Sequence, residues 1–280
     1  MDNLQKDKKA LKIFFAILIP MSIVLEAAYM IVRNDLLILI LMWIPGIAGI
    51  ITASKYYKKE KALGMKIGKI KYILAGIVIP IVYLLISYAV AWVAVEDKTI
   101  GVSALAEMMG YQSSIGIAPA LYLGIFLFTG LFSSCLSAAG EEIGWRGFMY
   151  PVMERVIGRK KALLFSGLIW AVWHMPLIIA GLYQAKTTLL YGLCMFAVEL
   201  TLMSIIMSWL RVASNSVWPA VFLHASHNLF DQTVFQPMST NSYVPYWAGE
   251  QGFVTVLLVL VIAFVVMHLW KKKECNGKGC

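Results

Sequence analysis

The sequence predicts an all-α membrane protein, a polytopic bundle of about eight transmembrane helices. Apolar residues fill 60% of the 280 positions and charged residues only 14%, whereas a soluble domain is nearer half apolar and a quarter charged. Mean hydropathy is +0.77. The apolar excess also runs along almost the whole chain, in stretches close to the ~20 residues that cross a hydrocarbon core. That spread favours one lipid-embedded bundle over a soluble domain with a single anchor.

Spans are expected at 11–32, 35–54, 72–95, 117–138, 162–181, 188–210, 217–230 and 252–270. The first follows Lys6, Lys8, Lys9 and Lys12, as in a signal peptide. Its apolar stretch is long, however, and no small-residue cleavage site follows, so a retained helix is expected. Pro20, Pro45, Pro80 and Pro176 fall within or near spans and should kink them. The seventh span is the shortest and most polar.

Charge sets the orientation. The net charge of +9 comes from residues between apolar stretches, most densely Lys55, Lys58, Lys59, Lys61, Lys66, Lys69 and Lys71. No stacking module or zinc-finger spacing accompanies them, so they point to anionic headgroups and topology rather than nucleic acid. Arg155, Arg159, Lys160 and Lys161 follow span four, Arg211 follows span six, and Lys271 to Lys273 follow span eight. The alternate loops hold only Arg33, Lys98 and Lys186. A cell-membrane protein with both termini cytoplasmic fits this alternation. Cys135, Cys194, Cys275 and Cys280 lack disulfide or zinc spacing. Because Cys280 is the last residue, no prenylation box can follow it.

Ionisable residues inside a membrane are costly and are candidates for function. Glu141 and Glu142 sit in Gly140-Glu-Glu-Ile-Gly-Trp-Arg-Gly147, at the expected cytoplasmic end of span four. Glu142 and Arg146 are four apart and share a helix face, whereas Glu141 points roughly 100° away. One carboxylate can thus be neutralised structurally while its neighbour stays available as a base. A charged cap at the membrane exit is the plainer reading. His174 lies deep in span five, and His224 and Asn228, again four apart, line one face of span seven. Each could simply be polar glue between helices. Together they could hold a water between carboxylate and imidazole, opposite an oxyanion site. His227 falls outside these pairs, and His268 beside Trp270 reads as interfacial.

The ordered set Glu141-Glu142-x-x-x-Arg146, Trp170-x-x-x-His174 and His224-x-x-x-Asn228 resembles the three motifs of the CAAX protease and bacteriocin-processing (Abi) family of intramembrane proteases, bacterial-type members in particular. Ser216-Val-Trp-Pro-Ala220 fits the same likeness. Trp170 departs from it, standing where the second motif usually carries phenylalanine. The likeness covers roughly residues 130–232. It implies 1–115 as helices without motif, 116–235 as the core carrying the site, and 236–280 as the last helix and basic tail.

By that resemblance Glu141 would be the general base, His174 would orient or polarise the water, and His224 and Asn228 would stabilise the oxyanion. Glu142 and Arg146 would hold the site together. The implied activity is hydrolysis of a membrane-associated, hydrophobic peptide or protein near the cytoplasmic face, in peptide maturation or bacteriocin immunity, with no cofactor or metal. Prenylated substrates are those of the family's eukaryotic members. The sequence leaves open which glutamate is the base. It also leaves a zinc enzyme using Glu141, His174 and His224, a non-catalytic immunity or scaffold protein, and a transporter with Glu26 and Glu199 in an ion path. No repeat of broken helices favours transport.

Overall fold

The computed structural model describes residues 2–57, 62–95, 102–112, 118–184 and 186–278. Lys58, Lys59, Lys61, Lys98 and Cys280, used in the charge and cysteine reading, lie outside the described residues. Helices and turns make up the described chain, and no strand occurs in it. The long helices are α1 (Asn3–Val32), α2 (Asp35–Tyr56) and α3 (Ile70–Ala94). A short α4 (Val102–Met108) precedes α5 (Pro119–Glu142), which runs on through a π-helical stretch, Ile143–Met149, into α6 (Tyr150–Ile157). Then follow α7 (Arg159–Ile179), α8 (Leu189–Ser214) and α9 (Trp218–Asn228), the last prolonged by a second π-helical stretch, Leu229–Phe235. A single turn, α10 (Val244–Trp247), leads to α11 (Phe253–Lys278).

Seven of these helices are long and apolar enough to cross a membrane by length and composition, the α5–α6 run counting as one. The expected span at 217–230 is not among them, because His224, Ser226, His227, Asn228 and Asp231 break its hydropathy. It is nevertheless a continuous helix that joins the two ends of the bundle. At its start, Val217 N–H donates to Gly64 O at 2.9 Å and Trp218 Nε1 to Met65 O at 2.8 Å, in the turn between α2 and α3. Beyond its finish, Asn241 Nδ2 donates to Val95 O, at the far end of α3, at 2.9 Å. Seven helices plus α9 therefore give eight passages through the bundle.

Side-chain contacts define the same two ends. One end gathers Asp7, which accepts from Tyr57 OH and from Arg155 Nε at 2.7 Å, together with Arg159, whose guanidinium lies 4.6 Å from the Trp270 ring centre. Burial, then the Asp7 carboxylate, pushes the Tyr57 phenol up to about 12, so it stays a neutral donor. Both α1's start and α11's later turns thus lie at this basic end. At the other end Tyr191 OH donates to Tyr246 O at 2.7 Å and Thr187 Oγ1 to Gln251 Oε1 at 2.6 Å. Between the ends, large apolar side chains face outward, among them Phe128, Phe132, Leu190 and Phe264. Such a belt suits lipid and would be a liability in water.

Missing side chains bring the motif helices together. A Cβ on Gly46 would stand 2.4 Å from Gly140 O, and one on Gly144 would stand 2.3 Å from the Pro45 carbonyl carbon. The backbones of α2 and α5 thus touch directly, as small residues permit between membrane helices. Glu141 and Glu142 lie inside that contact.

Candidate active site

Gly140 and Gly144 press α5 onto α2, and at that contact the helix widens into π-helical turns. All seven residues from Ile143 to Met149 are buried. A π turn accommodates an extra residue in the helix and often marks a functional site. Here it keeps Trp145 and Arg146 in the interior beside the two glutamates.

The paired carboxylates have different surroundings. Glu142 Oε1 and Oε2 accept from Arg146 Nη1 at 2.9 and 3.0 Å, and Oε1 also accepts from His224 Nδ1 at 2.9 Å. Arg146 itself is 1% exposed, and its guanidinium lies 4.1 Å from the Trp170 ring centre. Glu141, equally buried, forms no ion pair among the described residues. Its Oε2 accepts from Trp170 Nε1 at 2.7 Å and more weakly from Trp145 Nε1 at 3.3 Å. Among the described residues nothing hydrogen-bonds Glu141 Oε1. One carboxylate is neutralised and the other is held by a single oxygen, as the spacing anticipated.

The imidazoles are oriented from behind. A carboxylate and a carbonyl can only accept, so His224 Nδ1–H donates to Glu142 and His174 Nδ1–H to Trp170 O, at 3.0 Å. In each ring Nε2 is the atom left for a ligand. Tyr183 stacks on His174 at a centroid distance of 5.6 Å, with Trp173 and Phe196 edge-on at 4.8 and 5.4 Å. Glu141, His174, His224 and Asn228 all line one cavity of about 310 Å³, within the range of small ligand sites. Glu142 and Arg146 stand behind its wall.

Residues 123–230 match the family described as Rce1-like, type II CAAX prenyl endopeptidase Rce1-like. Over this segment the chain is similar to that family. A curated relative, CAAX prenyl protease 2 of Methanococcus maripaludis, is 33% identical over 104 residues, or 35% of this chain. The chain spans 38% of that relative's length. The Rce1-like segment holds the glutamate pair, both motif histidines and Asn228.

Two site expectations change. Glu141 is not at the end of its span, because the helix continues through the π stretch to Ile157. The cavity walls include Tyr29 and Asp35 from the α1–α2 turn and Leu182 and Tyr183 beyond α7. These segments belong to the end away from the lysine-rich loops, not to the basic end. For the zinc alternative, Glu141, His174 and His224 line the cavity but their ligand atoms do not form a group within 4.8 Å of one another. Among the described residues, one group of three such side chains has ligand atoms all within 4.8 Å of one another: His227, Asp231 and Glu250.

The roles of several residues of the candidate site escaped sequence reading. Trp145 and Trp170 supply the indole donors to Glu141; their spacing, four after Glu141 and four before His174, was the available signal. Trp170 is the position that departs from the usual phenylalanine, and its N–H has a specific acceptor that phenylalanine could not serve. Tyr183 and Gln232 line the cavity from segments without motif spacing.

Proposed function

We propose that this chain is an intramembrane endopeptidase that cleaves a hydrophobic, membrane-associated peptide or protein with water activated by Glu141. The observation that carries this reading is the convergence of Glu141, His174, His224 and Asn228 on one cavity beneath the lipid-facing surface. The likeness of residues 123–230 to the Rce1-like family supports the same reaction class.

In this reading a water sits between Glu141 Oε1 and His174 Nε2. The two indoles hold Oε2, so the free oxygen points at one place and can take the proton as the water attacks the peptide carbonyl. His174 Nε2, a lone-pair acceptor, fixes the second water hydrogen. The oxyanion forms opposite, where Asn228 Nδ2 donates. His224, oriented by its Nδ1–H bond to Glu142, lines the same wall as Asn228. Glu141 then passes its proton to the leaving amine. No cofactor enters the scheme.

The basic end lies in the cytoplasm by the positive-inside rule, so both termini are cytoplasmic and the protein resides in the cell membrane. The cavity, lined at its outer limit by Tyr29 and Asp35, receives substrate laterally or from the opposite side. Maturation or immunity peptides, which the family resemblance suggests, fit such a route. Membrane peptides from cells producing the native chain or Glu141→Gln, at equal protein levels, test the proposal by mass spectrometry. A peptide that accumulates uncut only with the variant supports it; identical peptide sets reject it.

A further inference from the structure

A second polar cluster lies behind the cavity, and proteolysis leaves it unused. It draws on three segments: His227 on α9, Asp231 in the π stretch after it, and Glu250 in the loop before α11. All three residues are buried, with ligand atoms within 4.8 Å of one another. His227 Nε2 stands 3.7 Å from Glu250 Oε1, too far for a hydrogen bond.

The cluster is partly satisfied: both Glu250 oxygens accept hydrogen bonds, whereas Asp231 Oδ2 has no partner among the described residues. Tyr83 OH donates to Met203 Sδ at 3.4 Å and stands 2.6 Å from His227 Nδ1. When the phenol oxygen accepts from His227 Nδ1–H, Nε2 carries the lone pair, the tautomer that a metal at Nε2 requires. Tyr88 OH donates to Asp231 Oδ1 at 2.7 Å, Tyr183 OH to Glu250 Oε2 at 2.6 Å and Gln232 Nε2 to Glu250 Oε1 at 2.7 Å. Asp231 Oδ2, on a residue 0% exposed, has no hydrogen-bond partner among the described residues. Neither has either oxygen of Glu199, which is 1% exposed.

Glu199, His227 and Glu250 line a pocket of about 20 Å³, room for one water-sized occupant. No Lys or Arg forms an ion pair with Asp231, Glu199 or Glu250 among the described residues. Buried carboxylates of this kind are stable only when protonated or paired with a cation.

We propose that His227 Nε2, Asp231 Oδ2 and Glu250 Oε1 bind a divalent transition-metal ion, Zn²⁺ or Mn²⁺, with Glu199 as an adjacent third carboxylate. Ligands at 2.0–2.2 Å from a tetrahedral ion stand roughly 3.4 Å apart, near the His227–Glu250 separation. Mixed imidazole and carboxylate donors suit these metals. The Tyr83 contact is the outer support that a metal-bound histidine normally has. The ion ties α9 to the loop before α11 and, through Tyr183 and Gln232, braces one wall of the cavity. The same pocket is also lined by His174, His224 and Asn228, so the ion would lie directly behind the cavity, and the metal assignment does not depend on proteolytic activity.

Elemental analysis of the full-length chain, purified in detergent without chelator, tests it. Native protein and Glu141→Ala are expected to carry about one Zn or Mn per chain, and Asp231→Asn to carry none. X-ray absorption on native protein, stripped with EDTA and reloaded with ZnCl₂ or MnCl₂, should report one imidazole among oxygen ligands. This second measurement decides the matter even if Asp231→Asn is not recovered folded. Metal-free native protein whose melting temperature neither salt raises would overturn the site. So would a spectrum with two imidazoles, or metal lost from His174→Ala but kept by Asp231→Asn.

Discussion

Glu141 and Glu142 are chain neighbours, yet their side chains leave the helix about 100° apart and meet opposite surroundings. Glu142 is the counter-charge of Arg146 and the acceptor for His224. Removing it as Glu142→Ala strands a guanidinium that is 1% exposed, so the chain should lose about 3–5 kcal/mol of stability, read as a lower melting temperature in detergent. Glu141→Gln leaves packing in place and removes the proposed base. Its melting temperature should match native protein while cleavage falls at least ~10²-fold. Trp170→Phe separates the indole N–H from the ring. Stacking against Arg146 persists but the 2.7 Å bond to Glu141 is lost, and hydrogen bonds to charged groups are worth ~1.5–3 kcal/mol. The turnover rate should drop about 10- to 100-fold with little change in KM. An unaltered rate would remove the indole from the site.

The duties of these residues were partly legible in sequence. The four-residue spacings gave the Glu142–Arg146 pair and placed His224 with Asn228. The Glu142–His224 bond spans 82 positions, and nothing in local spacing encodes it. His227 showed no motif spacing, and its partners Asp231 and Glu250 meet it only through a π turn and a distant loop.

At the level of elements, the two π-helical stretches follow directly on the two motif helices, after Glu142 and after Asn228. Apolar periodicity cannot reveal them, because an inserted residue shifts the helical phase without changing composition. Close helix contact was partly readable, since Gly140 and Gly144 are four apart, but their partner on α2 was not. Gly144→Ala puts a methyl against the Pro45 backbone, which has no rotamer to yield. Overpacking of this kind costs about 1–3 kcal/mol, so the melting temperature should fall by roughly 2–10 °C. Gly124→Ala, with nothing within 4 Å of its new Cβ, serves as the control and should melt like native protein.

For the whole molecule, the apolar run lengths and the alternation of basic loops predicted eight passages, and the contacts at the two ends of α9 agree with that count. Hydropathy alone finds seven, because the helix that carries His224 and Asn228 must be polar to build the site. The position of Glu141 along its span was misread: it looks like a span terminus until the helix is seen to continue to Ile157. Orientation is testable with single cysteines in a chain whose four native cysteines are replaced by serine. A membrane-impermeant maleimide should label Asn34→Cys in intact cells and label Lys160→Cys only after lysis. The reverse pattern would place the cavity mouth in the cytoplasm.

The central claim is that Glu141 activates a water molecule for peptide hydrolysis. Membranes containing native chain or Glu141→Gln can be incubated in ¹⁸O-labelled water and their peptides sequenced by mass spectrometry. New C-termini carrying heavy oxygen with native chain and missing with the variant are the predicted result. The same labelled termini in both preparations would contradict it.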